Sequence, residues 1–356
     1  MDSMRVNSAS KRHTGIAFRI TFGLSIAYLL ALLTAAAALR LVGEQWWITT
    51  VALYVPRAVF AIPLLPLLTA AICLRSQRLL ACQAAAVFVV MILAGFHLSW
   101  PRHSTPGAFT FRLATCNMDT GNIAVEEIVN ELRRRGADVI ILQEAHPNIY
   151  ARLAAASAGY SILAHDQFWI ASRFPVDEII EPAKLPFNEQ LRSPRFIRYR
   201  IRTPRGPFVL YNVHFISPRD GIEELRGAGF RHELERGNFP SGRSQRVIDG
   251  NTALRELQMQ AVAHDAERAP YPTIIAGDTN LPGLSRALPH WFARYQDGFS
   301  AAGQGFGYTF PAPKHPWMRI DRILADRAFR FVSFDVVRKP LSDHFPVIAQ
   351  VEWPDS

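Results

Sequence analysis

Leu341-Ser342-Asp343-His344-Phe345-Pro346-Val347 places an acid and an imidazole just before an apolar run that reads as a terminal β-strand. The pair does not stand alone. Gln143-Glu144 closes the apolar run from Ala137, Gly277-Asp278-Thr279-Asn280 closes the run from Thr273, and Arg319-Ile320-Asp321 opens the run Ile320 to Leu324. A strand that is apolar throughout is buried on both faces, so a carboxylate at its end emerges at the rim of a sheet, where loops build sites. Acids, amides and imidazoles at several strand ends suit a hard cation and phosphate ester chemistry, because Mg²⁺ takes oxygen ligands and few of them from protein.

Outward from these runs, strands alternate with helices. Phe109 to Asn117 alternates into a strand; Val125, Ile128, Val129 and Leu132 recur at helical spacing, and Gly136 stops that helix before Ala137 to Gln143. Phe168 to Ser172, Arg195 to Arg202, Phe208 to His214, Phe331 to Val336 and Val347 to Val351 read as further strands, and Gly242 to Ala266 as a long helix. Hairpin-like pairs mixed with helical crossovers predict an α/β fold: a four-layer sandwich of two packed mixed β-sheets flanked by helices.

Taken singly, the polar motifs are ordinary. A Gln-Glu pair is usually a surface feature, Gly-Asp-Thr-Asn an ordinary turn, and a histidine such as His214, ending the strand from Phe208, a structural one. Asp343-His344 says more, since an imidazole beside an acid can be a tuned base. Their order changes the reading. Asn117, Glu144, His214, Asp278, Asn280, Asp321, Asp343 and His344 all fall at predicted strand ends in a single succession.

From about Phe111 to Trp353 this succession resembles the endonuclease/exonuclease/phosphatase superfamily, which includes deoxyribonucleases, abasic-site endonucleases, sphingomyelinases and inositol polyphosphate 5-phosphatases. Ile170-Ala171-Ser172-Arg173-Phe174-Pro175 and Tyr308-Thr309-Phe310 ahead of Arg319-Ile320-Asp321 support it. The resemblance implies Glu144 as the principal Mg²⁺ ligand, with Mn²⁺ as a substitute, and Asn117 and Asp343 completing the metal's surroundings; Asp119 would join through water. It makes His344 the base or phosphate-contacting imidazole, held by Asp321. Asp278 would orient the attacking water, Asn280 would bind a phosphoryl oxygen, and His214 would contact the phosphate or protonate the leaving group, with Asp166 as its acid. Phosphoryl transfer rewards such positioning and charge neutralisation. Where abasic-site endonucleases carry a Tyr-Val-Pro-type motif, this chain has Val213-His214-Phe215, which points away from DNA repair.

The first hundred residues differ in kind. Segments 20–39, 58–74 and 79–98 lack charged residues and are long enough to span roughly 30 Å of hydrocarbon as helices. Pro63 and Pro66 interrupt the second, whose alternative is a re-entrant or interfacial segment. A cleaved signal peptide is the alternative for the first, yet two apolar segments would still follow it. Arg5, Lys11, Arg12, Arg19, Arg75 and Arg78 flank one side and Arg40 and Arg57 the other, which predicts a cytoplasmic N-terminus and an extracytoplasmic domain after a linker at 101–108, with the catalytic domain at 109–356.

The net charge of +9 divides into +6 for residues 1–100 and +3 for the rest, so most of the excess is topogenic. The stretch Arg219 to Arg246 mixes arginines with Asp220, Glu223, Glu224, Glu233 and Glu235 and reads as a solvated face. Cys73 and Cys82 fall in or beside apolar segments and Cys116 is alone in the soluble part, so no disulfide framework is expected.

The expected partners are the lipid bilayer and a phosphate-ester substrate: nucleic acid, a phospholipid or a small phosphoester. The alternatives are sphingomyelinase or phospholipase C-like action, phosphomonoesterase action, and a catalytically silent module that binds a phosphorylated ligand. The complete polar set argues against the last. Trp291, Trp317 and Phe306 read as core, with base stacking or lipid contact as alternatives.

Overall fold

The computed structural model describes residues 2–100, 102–119, 125–223, 225, 235 and 242–354, with side chains from residue 15 onward except that of residue 220. The greater part of the Arg219 to Arg246 stretch, and the side chains of Arg5, Lys11 and Arg12, lie outside the described residues.

Twelve strands form two six-stranded sheets. They are β1 (Phe109–Asn117), β2 (Val139–Gln143), β3 (Ser161–His165), β4 (Phe168–Ser172), β5 (Val176–Ile180), β6 (Phe196–Thr203), β7 (Gly206–His214), β8 (Thr273–Asp278), β9 (Gln296–Asp297), β10 (Asp321–Ala325), β11 (Arg330–Val336) and β12 (Val347–Trp353). One sheet runs β11-β12-β1-β2-β4-β3 and the other β9-β10-β8-β7-β6-β5.

Each sheet holds one parallel pair, β1 with β2 and β7 with β8. A parallel pair needs a crossover, and the described helices Val125–Arg134 and Arg243–Glu267 lie within the two connections. The inner faces meet in a core that includes Phe111, Ile141, Ile170, Tyr199, Phe208, Ile274 and Ile323. On the outer faces, Ile128, Val129 and Leu132 pack on Ile140 and Leu142, while Met259, Val262 and Ala263 pack on Val209 and Ile275. The sandwich therefore has four layers, helices outermost.

The N-terminal region is helical: α1 (Asp2–Ala37) is extended by a short π-helix, and α2 (Trp47–Leu53), α3 (Leu64–Cys73) and α4 (Gln77–Leu93) follow. Among the described residues, Gly15–Gln45 is the helix long and apolar enough by itself to be a candidate membrane span. The second expected segment, 58–74, corresponds to Arg57–Cys73, which meets the preceding helix Trp47–Leu53 at 93°. The third expected segment ends as helix α4 at Leu93, short of Leu98, because His97 and Leu98 leave it to pair with Gly305 and Gln304 beside the sandwich. Gln83 Nε2 donates to Ser25 Oγ at 2.8 Å, a polar tie between the first and last helices. The linker is anchored too, since Thr105 donates through N and Oγ1 to Glu352 at 2.7 and 3.0 Å.

Candidate active site

The two parallel pairs end at the same rim, and their last residues are the polar ones. Asn117 pairs with Gln143 across β1 and β2, His214 with Asp278 across β7 and β8, and Asp278 with Asp321 across β8 and β10. Below this rim Gln143 Nε2 donates across the sandwich to Asn212 Oδ1 at 2.7 Å, locking the sheets together. One close approach and two left-handed residues fix the turns. Gly277 has φ +137°, and a Cβ there would meet the Val213 carbonyl oxygen at 2.1 Å. Glu144, just past β2, has φ 57° and Asn280 has φ 50°, left-handed backbone that non-glycine residues adopt at a cost.

All eight residues expected from the sequence line one cleft except Asp321, which lies fully buried behind His344. The cleft encloses about 710 Å³. Asn117 Nδ2 donates to Glu144 Oε1 and to Asp278 Oδ2, both at 3.2 Å. His214 Nε2 stands 3.7 Å from Glu144 and 3.8 Å from Asp278. His344 joins three acids: Nδ1 is 2.9 Å from Asp321 Oδ2, while Nε2 is 3.8 Å from Asp278 and 3.9 Å from Asp343. Asp278, Asp321 and His344 form the tightest ligand-capable group among the described residues, with atoms within 4.8 Å of one another. Asp321, however, aims both oxygens at Nδ1 of His344. That is the geometry of an orienting acid.

Burial pushes the Asp278 carboxyl up to about 7, with His344 opposing and Asp321 adding to the rise. Burial alone would lower His344, but Asp321 and Asp278 outweigh it and raise the imidazole to about 10. His214 goes the other way, to about 3, because burial and then Arg195 disfavour its charge. Asp343 is raised by burial, with Asp119 and Glu144 among the charges that add to the effect. Glu144, Asp119 and Asp343 thus crowd negative charge and oxygen donors at one side of the cleft, a donor set that fits a hard divalent cation.

Several partners were not legible in the sequence. Gln167, rather than Asp166, faces His214: its Oε1 is 2.5 Å from Nδ1. Asn280 donates its side-chain amide inward, to Phe215 O at 2.9 Å and to Asp278 Oδ2 at 3.2 Å. A phosphoryl contact would require release of one of these. Thr309 Oγ1 accepts from the amides of Ile320 and Asp321, at 3.3 and 3.4 Å, which explains why Tyr308-Thr309-Phe310 accompanies that strand. Ser342 Oγ donates to Asn117 O at 2.7 Å. Tyr54 reaches the site from the N-terminal region: its hydroxyl donates to Asn280 O at 2.9 Å, and it lines the cleft. Local sequence carries no signal for such a contact, which spans more than two hundred residues. Arg195 and Arg219 add positive charge to the cleft wall. Trp317 lines the cleft with its Nε1 on Tyr54 O, and Trp291 packs into the core beneath the long helix.

Residues 114–344 match the endonuclease/exonuclease/phosphatase family. Among solved structures, a functionally unknown conserved protein from Enterococcus faecalis is 17% identical with a TM-score of 0.50, over 68% of this chain and 99% of that one. An endonuclease/exonuclease/phosphatase from Bacteroides vulgatus is 15% identical with a TM-score of 0.50, over 69% and 99%. A mannosyl-6-phosphatase from Bacteroides thetaiotaomicron is 16% identical with a TM-score of 0.47, over 68% and 99%. No curated protein matches.

Proposed function

The chain belongs to the endonuclease/exonuclease/phosphatase family and is a hydrolase of phosphate esters; from that premise we propose that it is a membrane-anchored, Mg²⁺-dependent phosphodiesterase whose catalytic domain lies outside the cytoplasm. The observation that carries the reading is the convergence of Asn117, Glu144, His214, Asp278, Asp343 and His344 on one cleft from the ends of both sheets. The anchoring rests on the apolar helix Gly15–Gln45 and on the bias of basic residues toward one side of the apolar segments.

A Mg²⁺ held by Asn117, Glu144 and Asp343 would neutralise phosphate charge and polarise the phosphorus. The protein's own groups do the rest. Asp321 fixes the tautomer of His344 and stabilises its charged form, so that Nε2 points a positive donor into the cleft, where it contacts a phosphate oxygen. Asp278, raised to about 7 and steadied by Asn117 and Asn280, is suited to orient the attacking water and take its proton. His214 presents Nε2 to the same point with Nδ1 held on Gln167. Buried and neutral, it becomes a donor to the phosphate or leaving group when substrate charge draws a proton to it.

The full chain in detergent should hydrolyse bis(p-nitrophenyl) phosphate with added Mg²⁺ and stop in EDTA, and DNA, sphingomyelin and p-nitrophenyl phosphate then sort diester from monoester and nucleic acid from lipid. Faster turnover of the monoester would replace the phosphodiesterase assignment with a phosphatase one. Alkaline phosphatase fused after Pro101 and after Ser356 should be active at both points; a cytoplasmic reporter working there instead would mean that only two segments span and that the domain lies in the cytoplasm.

A further inference from the structure

A second cavity, of about 370 Å³, lies where the N-terminal helices meet the catalytic domain, and Trp317 and Met318 form a wall shared with the catalytic cleft. Four arginines line it, Arg40, Arg57, Arg319 and Arg322, against a single carboxylate, Asp297. Arg319 and Arg322 share that carboxylate, at 2.9 and 2.5 Å. Among the described residues neither Arg40 nor Arg57 has an acidic partner; Arg57, 6% exposed, donates to the carbonyls of Ala52 and Leu53.

Arg322 supplies the second observation. It is 1% exposed, its two Nη groups are bonded to Asp297 and to the carbonyls of Leu281 and Arg319, and its Nε has no acceptor. With one carboxylate between two guanidinium groups, the charge at this end of the cavity stays net positive. Apolar side chains complete much of the lining: Ile92, Leu93, Phe96, Leu284, Leu288 and Phe306.

The position narrows the ligand. Arg40 sits near the end of the apolar helix Gly15–Gln45, and Ala94 to Phe96 follow the last residue of the helix Gln77–Leu93. In a chain anchored by these helices, both ends lie at the level of lipid headgroups. Guanidinium groups are matched to phosphate oxygens, and clustered basic residues at a membrane boundary select anionic lipids.

We propose that this cavity binds the phosphodiester headgroup of an anionic phospholipid, with its glycerol and first acyl carbons on the apolar part of the lining. The proposal shares with the functional reading only the membrane anchoring and is independent of catalysis. The test is native mass spectrometry of the detergent-solubilised full chain with phosphatidylglycerol, phosphatidylcholine or inorganic phosphate, together with the thermal midpoint in each. Wild type should retain phosphatidylglycerol about tenfold better than phosphatidylcholine and be stabilised by it.

Two variants separate this cavity from the catalytic cleft. Arg40→Glu reverses an exposed charge at the rim. Gly283→Phe fills the cavity at a residue whose added Cβ would meet nothing within 4 Å. Both should lose the preference while hydrolysing bis(p-nitrophenyl) phosphate as wild type does. Equal retention of the two lipids, or a preference surviving both substitutions, would overturn the site; stabilisation by inorganic phosphate alone to the same degree would overturn the lipid. Release of the chain from membranes by alkaline carbonate would remove the anchoring and the lipid ligand together, whatever the hydrolysis assay shows.

Discussion

Glu144 is held in left-handed backbone at φ 57°, a conformation that costs a non-glycine residue about 1–2 kcal/mol. The sequence showed an acid ending a buried strand, but not the turn that aims it. If that strain is retained for the sake of the cation, Glu144→Gly should abolish Mg²⁺-dependent hydrolysis while leaving the unfolding midpoint unchanged or raised, by up to about 1 kcal/mol of stability. A variant that loses both activity and stability would make Glu144 a structural residue. Asp321 and His344 form a unit of a different kind, joined at 2.9 Å with the acid fully buried. Asp321→Asn should lower turnover and shift its pH dependence at nearly unchanged Mg²⁺ affinity, and the double variant with His344→Ala should be scarcely worse than His344→Ala alone, since groups acting as a unit are not additive. Additive losses would separate the two. Their pairing was readable because both stand at strand ends in family order. The choice of Gln167 rather than Asp166 for His214 was not, because a one-residue difference at a β-hairpin turn decides which side chain faces inward.

The strands that build the site are apolar and buried where they approach it, and these were legible in the sequence with boundaries close to those observed. Ser161–His165 and Val176–Ile180 were missed because they are edge strands, half exposed and lacking a continuous apolar run. Where β7 and β8 pair, Gly277 allows the Val213 carbonyl to approach, and Gly277→Ala should cost about 3 kcal/mol or more, read as a fall in the thermal midpoint, since both φ and space oppose a side chain. The short strand β9 does its work through charge. Burial would raise the Asp297 carboxyl, but Arg319 and Arg322 overcome that and hold it well below the usual carboxylate range. A depressed folded-state value means that this contribution to stability is complete above the unfolded value of about 4 and is lost as pH falls through the folded one. Stability should therefore decline below about pH 4 more steeply in the wild type than in Asp297→Asn, which lacks that dependence and starts lower at neutral pH. Parallel curves for the two proteins would refute the pairing.

At the scale of the whole chain, the composition of residues 1–100 announced apolar helices, and the charge bias an orientation, but nothing in the sequence showed that this region is part of the catalytic domain's packing. Leu53, Tyr54 and Leu93 share a buried cluster with Leu284, Met318 and Ile320; Tyr308 donates to Ala94 O at 2.6 Å; and Glu44 is bonded to Ser285 and to the Arg286 amide. Such contacts join residues more than two hundred positions apart and leave no local pattern. They change what a truncated protein should do. A fragment beginning at residue 104 retains every residue of the family succession, yet it exposes Leu284, Met318 and Ile320 and leaves the carbonyl of Asn280 without the Tyr54 hydroxyl. We expect it to melt lower than the full chain and to turn over bis(p-nitrophenyl) phosphate more slowly at saturating Mg²⁺. Tyr54→Phe in the full chain separates the two effects: losing one buried hydrogen bond of about 1 kcal/mol should slow turnover several-fold while the apolar packing, and so most of the melting temperature, persists. A fragment as active and as stable as the full chain would show that the N-terminal region merely tethers the enzyme. An inactive fragment alongside an unaffected Tyr54→Phe would assign its contribution to packing rather than to the positioning of Asn280.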